Sequence, residues 1–333
     1  MLFLARLVPA LLAASSVAHA ASVLPRSNDD FFSAFIDALN KNNLTVLADN
    51  YKNIAESNEG KHVIDALQNN GDITILAPEN DAFDSDRRQL DANTLLYGAL
   101  QGNIDKNFLD GPGGLLARRA ALHTRWVVPT LYLSSGGSRK RDLKYQGTSG
   151  GRKVTKRRWI RSQITWDLPE GDTEVIGRFE YQNIIFLIID EQRYLPTKVS
   201  DLLSKRLIKD AHNGFSKSSG ALKKTGLSDD VDNREWLSLF VPVDESFGDL
   251  DKYSKDDLSR LVKNHIIYGK RVFTPQFGLI AEEKSASGKT LVFSTENGVD
   301  YVCCGDSKAT VIRGDVFTEN GVLHVIDKPL KCD

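Results

Sequence analysis

The sequence predicts a chain made of two diverged copies of one domain in which strands and helices are mixed. Three observations predict it. The 333 residues suit two domains once a leader is removed. The composition is that of a globular chain, with 41% hydrophobic residues, 26% charged residues and a mean hydropathy of -0.30. Three short segments recur in the same order in both halves, the mark of an internal repeat.

The leader comes first. Met1 to Leu4, a single basic Arg6, an apolar run from Leu7 to Val17 and then Ala18-His19-Ala20 have the layout of a secretory signal peptide. The apolar run is shorter than the roughly 20 residues that span a bilayer, and small residues occupy the positions a signal peptidase reads. Cleavage is expected after Ala20, so that residues 1–20 are signal peptide. The remaining 313 residues hold 42 basic and 44 acidic side chains, a near-neutral balance that by itself points to no polyanionic partner. No second apolar stretch reaches membrane length, and Lys328-Pro329-Leu330-Lys331-Cys332-Asp333 lacks the tail of a lipid-anchor signal. A soluble, secreted product is expected, with the cell wall or a vacuole-like compartment as destinations.

In the first repeated segment, Ile73-Thr74-Ile75-Leu76-Ala77-Pro78-Glu79-Asn80-Asp81-Ala82-Phe83 matches Leu237-Ser238-Leu239-Phe240-Val241-Pro242-Val243-Asp244-Glu245-Ser246-Phe247. Each reads as a buried strand stopped by Pro78 or Pro242, then a helix start capped by Asn80 or Asp244 and anchored by Phe83 or Phe247. The second segment sets Arg125-Trp126-Val127-Val128-Pro129 against Asn264-His265-Ile266-Ile267-Tyr268. The third sets Asn183-Ile184-Ile185-Phe186-Leu187-Ile188-Ile189-Asp190 against Asn320-Gly321-Val322-Leu323-His324-Val325-Ile326-Asp327, an apolar strand after a turn. Trp126 to Asp190 is 64 positions and His265 to Asp327 is 62, which supports the pairing. Pro78 to Trp126 is 48 against 23 for Pro242 to His265, so extra sequence is expected there in the first copy, with Gly111-Pro112-Gly113-Gly114 as a surface loop.

These segments resemble the fasciclin domain family, in which an apolar strand runs into Ala-Pro and an Ala-Phe helix start. A middle signature pairs tyrosine with histidine, and a last one reads close to Asn320 through Asp327. The resemblance implies an α+β fold of two tandem fasciclin-like domains, residues 28–195 with an insertion and residues 196–333. Each is then a β-sandwich-like wedge with helices packed at one end. The tyrosine associated with receptor contact in adhesive members stands here at Arg125 and Asn264, so that contact is not carried over. His265 keeps the histidine position and reads as a core residue hydrogen-bonded within its domain.

The most distinctive local feature is basic. Arg139, Lys140, Arg141, Lys144, Arg152, Lys153, Lys156, Arg157, Arg158 and Arg161 stand against one acid, Asp142, and make a local positive field on a near-neutral chain. With Gly147 to Gly151 in the middle, the segment reads as two strands joined by a hairpin loop, fit for an anionic polysaccharide or for guarding a sheet edge. Nucleic acid does not fit a secreted chain. The three cysteines, Cys303, Cys304 and Cys332, allow one disulfide, between Cys332 and either Cys303 or Cys304. Asn43-Leu44-Thr45 is an N-glycosylation sequon.

Chemistry-bearing motifs are weak. Gly147-Thr148-Ser149-Gly150-Gly151 matches a nucleophile-elbow pattern, but basic and glycine-rich flanks do not supply the strand and helix that it needs. The histidines have no zinc spacing, and Cys303-Cys304 is not Cys-x-x-Cys, so neither metal nor cofactor is expected. The expectation is a non-enzymatic adhesion or wall-associated protein, whose partner is an extracellular or wall protein or an anionic polysaccharide. The alternative is a secreted enzyme or small-ligand carrier on the same fold.

Overall fold

A computed structural model describes residues 28–69, 71–83, 89–103, 123–129, 144–150, 164–167, 172–208, 211–212 and 214–332. In the first half, helices α1 (Asn28–Lys41), α2 (Thr45–Ala55) and α3 (Asn58–Asn69) precede strand β1 (Ile73–Pro78) and helix α4 (Ala92–Tyr97). Strands β2 (Ala99–Gln101), β3 (His123–Pro129), β4 (Lys144–Gly150), β5 (Ile164–Asp167), β6 (Asp172–Tyr181) and β7 (Ile184–Ile189) follow. The second half runs through α5 (Val199–Leu202), α6 (Ser216–Thr225), α7 (Ser228–Asn233), β8 (Leu237–Pro242), α8 (Asp244–Phe247) and α9 (Lys255–Asn264). It ends with β9 (Ile266–Tyr268), β10 (Glu282–Lys284), β11 (Thr290–Glu296), β12 (Val299–Cys304), β13 (Ser307–Phe317) and β14 (Gly321–Ile326). The fold is α+β.

The helices form for ordinary reasons. In α1 the buried Phe31, Phe35, Ile36 and Leu39 share one face at helical spacing, and Lys41 sits in the last turn, where a cation suits the helix dipole. Helix α6 ends at Gly226, whose φ of +73° is costly for any residue with a Cβ. Leu227 then donates its N–H back to the Leu222 carbonyl at 3.0 Å. Residues 214–233 thus contain α6 and α7.

The two sheets have one topology. The first runs β2-β1-β7-β6-β5-β4-β3 and the second, in the same sense, β9-β8-β14-β13-β12-β11-β10. In each, the two central strands are parallel, β1 with β7 and β8 with β14, and every other pair is antiparallel. In each, the longest strand, β6 or β13, shifts register along its length, between Val175 and Gly177 and from Val311 to Val316. Such bulges bend a strand, so it pairs with the central strands at one end and with the outer strands at the other.

The alternation of side chains along the central strands makes two cores in the second half. Leu237, Leu239, Val241, Leu323 and Val325 face the helices and pack with Leu222, Leu258 and Val262. Phe240 and Ile326 face the other way, against Leu291, Phe293, Val302 and Ala309 of the outer strands. The sheet therefore folds over on itself as a wedge with helices on one side. In the first half, Ile73, Ile75, Ala77, Ile184 and Phe186 pack against α1, α2 and α3 in the same way. Each Ile, Leu, Val or Phe side chain so buried contributes about 1.5–3 kcal/mol when removed from water.

One expectation about strands is corrected. Gly147 to Gly150 do not form a hairpin loop between two basic strands. They lie within β4, paired to β3 through Trp126↔Gly147 and to β5 through Gly147↔Trp166. Glycine supplied the turn signal, but pairing on both sides holds this stretch extended.

Candidate functional site

The repeated motif residues build the same joints in both halves. Asn80 and Asp244 do cap a helix, though not the turn that follows them. The Asn80 Oδ1 accepts the Val46 N–H at 3.0 Å at the start of α2. Asp244 Oδ1 accepts the Lys217 N–H at 3.0 Å and its Oδ2 the Ser216 hydroxyl at 2.6 Å at the start of α6. The reason is local: α2 and α6 begin after Leu44 and Phe215, apolar residues buried in the core that cannot satisfy free helix amides. Phe83 and Phe247 are buried behind these caps.

The third motif is a second shared joint. The Asn183 carbonyl accepts the Ile73 N–H at 3.1 Å, and the Asn320 carbonyl accepts those of Trp236 and Leu237 at 3.0 and 3.3 Å. The amide of Asn183 donates to the Gly71 carbonyl, and that of Asn320 to the Val231 and Arg234 carbonyls, both at 2.8 Å. At the other end of these strands, Asp190 accepts the Thr173 hydroxyl at 2.7 Å and Asp327 the Thr310 N–H at 2.8 Å.

The second motif pairing is overturned. Leu239 pairs with Ile266 in the second sheet as Ile75 pairs with Ala99 in the first, which places Gly98 opposite His265. The bonds agree, since Leu76 N–H donates to the Gly98 carbonyl at 2.8 Å and Phe240 N–H to the His265 carbonyl at 2.9 Å. Trp126 lies instead in β3, the counterpart of β10. The extra sequence of the first half accordingly lies after this joint. Gly98 to Asp190 spans 92 positions against 62 from His265 to Asp327, whereas Pro78 to Gly98 spans 20 against 23. The position before the histidine is then Tyr97, not Arg125. Tyr97 is buried, with the Arg193 guanidinium 5.4 Å from its ring, and burial lowers Arg193 to a pKa of about 10.

His265 closes α9 and is buried. Its Nε2 accepts the Leu330 N–H at 2.8 Å, so its Nδ1 carries the proton and donates to the Leu261 carbonyl at 2.8 Å. Burial pushes its pKa down to about 4, against a smaller opposing effect of the Leu261 bond. The residue pins the C-terminal segment to α9. A few residues on, Cys332 forms its disulfide with Cys304, which faces the outer core, while Cys303 points the other way and is half-buried.

A buried polar cluster escaped sequence reading. Asp315, at φ +63°, accepts the Thr274 N–H at 2.8 Å and the Thr274 hydroxyl, and donates its own N–H to His324 Nδ1 at 3.1 Å. His324 Nε2 then donates to the Val272 carbonyl at 2.8 Å. A Cβ at Gly314 would meet Thr274 Cγ2 at 2.5 Å, so any larger residue there would displace the Thr274 side chain. The cluster fixes the 272–274 segment to β13 and β14. His324 lies in the third repeated segment, but Thr274 and Asp315 stand in no motif and the three are spread over 50 positions, which is why no sequence signal joins them.

A family model, the Fasciclin domain, matches residues 213–332, the unit that holds α6 to α9 and β8 to β14. The C-terminal unit is a fasciclin domain. Over 278 residues, 81% of each chain, the protein is 22% identical to the fasciclin-like arabinogalactan protein elcF of Phaeosphaeria nodorum. It is 23% identical over 277 residues to a fasciclin-like arabinogalactan protein of Arthroderma benhamiae, of whose length the match spans 61%. It is 30% identical over 123 residues, 34% of this chain and 65% of the other, to Protein sll1483 of Synechocystis. A solved FAS1 domain pair from the insect cell adhesion molecule fasciclin I aligns over 87% of this chain and 98% of its own, at 19% identity and a TM-score of 0.39.

Of the basic segment, Lys144 opens β4 opposite Pro129. Arg139, Lys140, Arg141, Arg152, Lys153, Lys156, Arg157, Arg158 and Arg161 lie outside the described residues, as do residues 1–20, expected to be a signal peptide. Ser149 of the elbow-like pattern sits inside β4, paired with Thr124 and Ile164, and not at a strand-to-helix turn. Asn43 is exposed, at φ +60°, in the turn between α1 and α2. In the fasciclin domain a small crevice with room for about one water lies between α6, α9 and β8. Its walls are apolar apart from the Ser218 hydroxyl and His265, whose two nitrogens are committed to backbone. Among the described residues no cluster of metal-ligating side chains occurs, and no helix is long and apolar enough to cross a membrane.

Proposed function

We propose that the chain is a secreted, non-enzymatic binding protein of two tandem fasciclin-like domains, residues 28–195 and 196–333, that works in adhesion at the cell wall or extracellular matrix. The first domain attaches to anionic polysaccharide through the basic segment Arg139 to Arg161. One observation carries this reading. The fasciclin domain shows what the scaffold needs, and it links β10 to β11 and β11 to β12 through residues 285–289 and 297–298 alone. The corresponding links of the first domain are residues 130–143 and 151–163, and they carry nine of the ten cations. The added sequence and the positive charge coincide. Because the scaffold closes without them, a surface function accounts for both.

The names of the two fungal relatives, fasciclin-like arabinogalactan proteins, support a wall setting. The signal-like leader and the exposed Asn43 sequon support passage through the secretory pathway and a glycan at Asn43. The test is retention of residues 21–333 on immobilised anionic and neutral polysaccharides across a salt series, beside a variant with Arg157, Arg158 and Arg161 changed to alanine. Retention on the anionic polymers that weakens with salt and with the triple substitution is expected. Equal, salt-insensitive retention of both proteins contradicts the reading.

A further inference from the structure

We propose that the fasciclin domain carries a second binding site, for a neutral saccharide, on the exposed ring of Trp236. The site stands apart from the basic segment and does not depend on it.

Trp236 breaks two rules at once. It is 43% exposed, although a large aromatic ring gains by burial. Its φ is +60°, a left-handed conformation that a bulky residue adopts at a cost of about 1–2 kcal/mol. Strain of this kind persists only where the surroundings impose it. Here they do: the Asn320 carbonyl holds the Trp236 N–H at 3.0 Å, and the Asn320 amide ties the Val231 and Arg234 carbonyls just before it. The first domain supplies an internal control. Asn183 makes the equivalent joint there, but the left-handed residue is Gly71, and the place of Trp236 is taken by Asp72. The scaffold therefore requires neither the strain nor the ring.

What surrounds the ring defines the ligand. The Arg271 guanidinium lies 4.3 Å from the ring centre and is itself buried, so it braces one face of the indole from below. Beside it, Arg234 stacks on Tyr268 at 4.1 Å and pairs with Asp230 at 3.7 Å. Tyr268 faces Leu237, the residue after Trp236, across the β8–β9 ladder, so the two cation-and-ring pairs are neighbours at the outer edge of the sheet. The result is a flat, rigid aromatic face whose rim offers guanidinium donors and a carboxylate acceptor.

A pyranose matches this arrangement. Its C–H face is apolar and weakly positive and lies against the negative face of the ring, while its hydroxyls both donate and accept at the rim. A free anion is disfavoured, because Arg234 is already paired with Asp230 and the acidic Glu235 stands exposed beside the ring. A protein hot spot wants a water-excluding apolar surround, whereas Asn233, Arg234 and Glu235 beside the ring are all exposed.

The test uses residues 21–333 and follows tryptophan emission and calorimetric binding with neutral hexasaccharides of β-1,3-linked glucose, β-1,4-linked glucose and β-linked galactose. The expected result is saturable binding of at least one of them, insensitive to salt. It should weaken about tenfold or more in Trp236→Ala, be partly restored in Trp236→Tyr, and stay unchanged in the Arg157, Arg158 and Arg161 triple variant. Melting curves show that the variants fold, and Trp236→Tyr carries the comparison if Trp236→Ala does not. No binding of any hexasaccharide by the parent protein overturns the proposal, and so does binding that Trp236→Ala and Trp236→Tyr leave unchanged. Binding that instead falls with salt and with the triple variant transfers the activity to the basic segment.

Discussion

At the scale of single residues, the fold rests on a few polar groups set against buried backbone. His265 is one. With its pKa lowered from 6.5 to about 4, the folded domain refuses a proton that the unfolded chain accepts. Stability is therefore full above pH 6.5 and falls as the pH drops toward 4, by about 3 kcal/mol in all. Denaturant unfolding at several pH values should show this slope, and His265→Gln should flatten it while lowering stability at neutral pH. Asp244 is another. Removing its cap in Asp244→Ala should cost about 1–2 kcal/mol, most of it retained in Asp244→Asn, which copies the Asn80 of the first half. The residue types at these positions were legible: Asn and Asp after a strand-ending proline signal a cap, and His265, at the histidine position of the middle segment and followed by Ile266 and Ile267, reads as a core histidine. Which helix receives the cap was not, because the free amides lie 34 and 27 positions earlier in the chain.

At the scale of elements, the strands that stop at Pro78 and Pro242 and the Asn-led third segments were readable, since an apolar run with its terminator is local information. The middle segment was misassigned for a physical reason. Trp126-Val127-Val128 imitates His265-Ile266-Ile267 in hydropathy, whereas the true counterpart, Gly98-Ala99-Leu100, has neither ring nor β-branched residue. Only pairing with β1 reveals it. The disulfide shows the same limit. Cys303 and Cys304 are adjacent and so face opposite sides of β12, and sequence does not say which side meets Leu330 and Cys332. With 28 positions between Cys304 and Cys332, loss of the bond should cost about 3 kcal/mol. Thermal unfolding should therefore drop by several degrees in Cys332→Ser and Cys304→Ser but not in Cys303→Ser.

At the scale of the whole molecule, one scaffold occurs twice with its parts in the same order, and each copy has been elaborated at a different place. The first copy has grown between its outer strands, where the cations are. The second keeps those turns short and instead carries the disulfide, the Asp315–Thr274–His324 cluster and the strained Trp236. Nothing in composition foretold that division of labour, because it depends on which turns the topology places at the edge. If the copies are separate domains, every device confined to the second must act on the second alone.

Differential scanning calorimetry of residues 21–333, recorded with and without reductant, tests this most directly. Two unfolding transitions are predicted, one of which moves to lower temperature on reduction while the other stays in place. A single transition that moves as a whole would contradict the account of two independently folded copies.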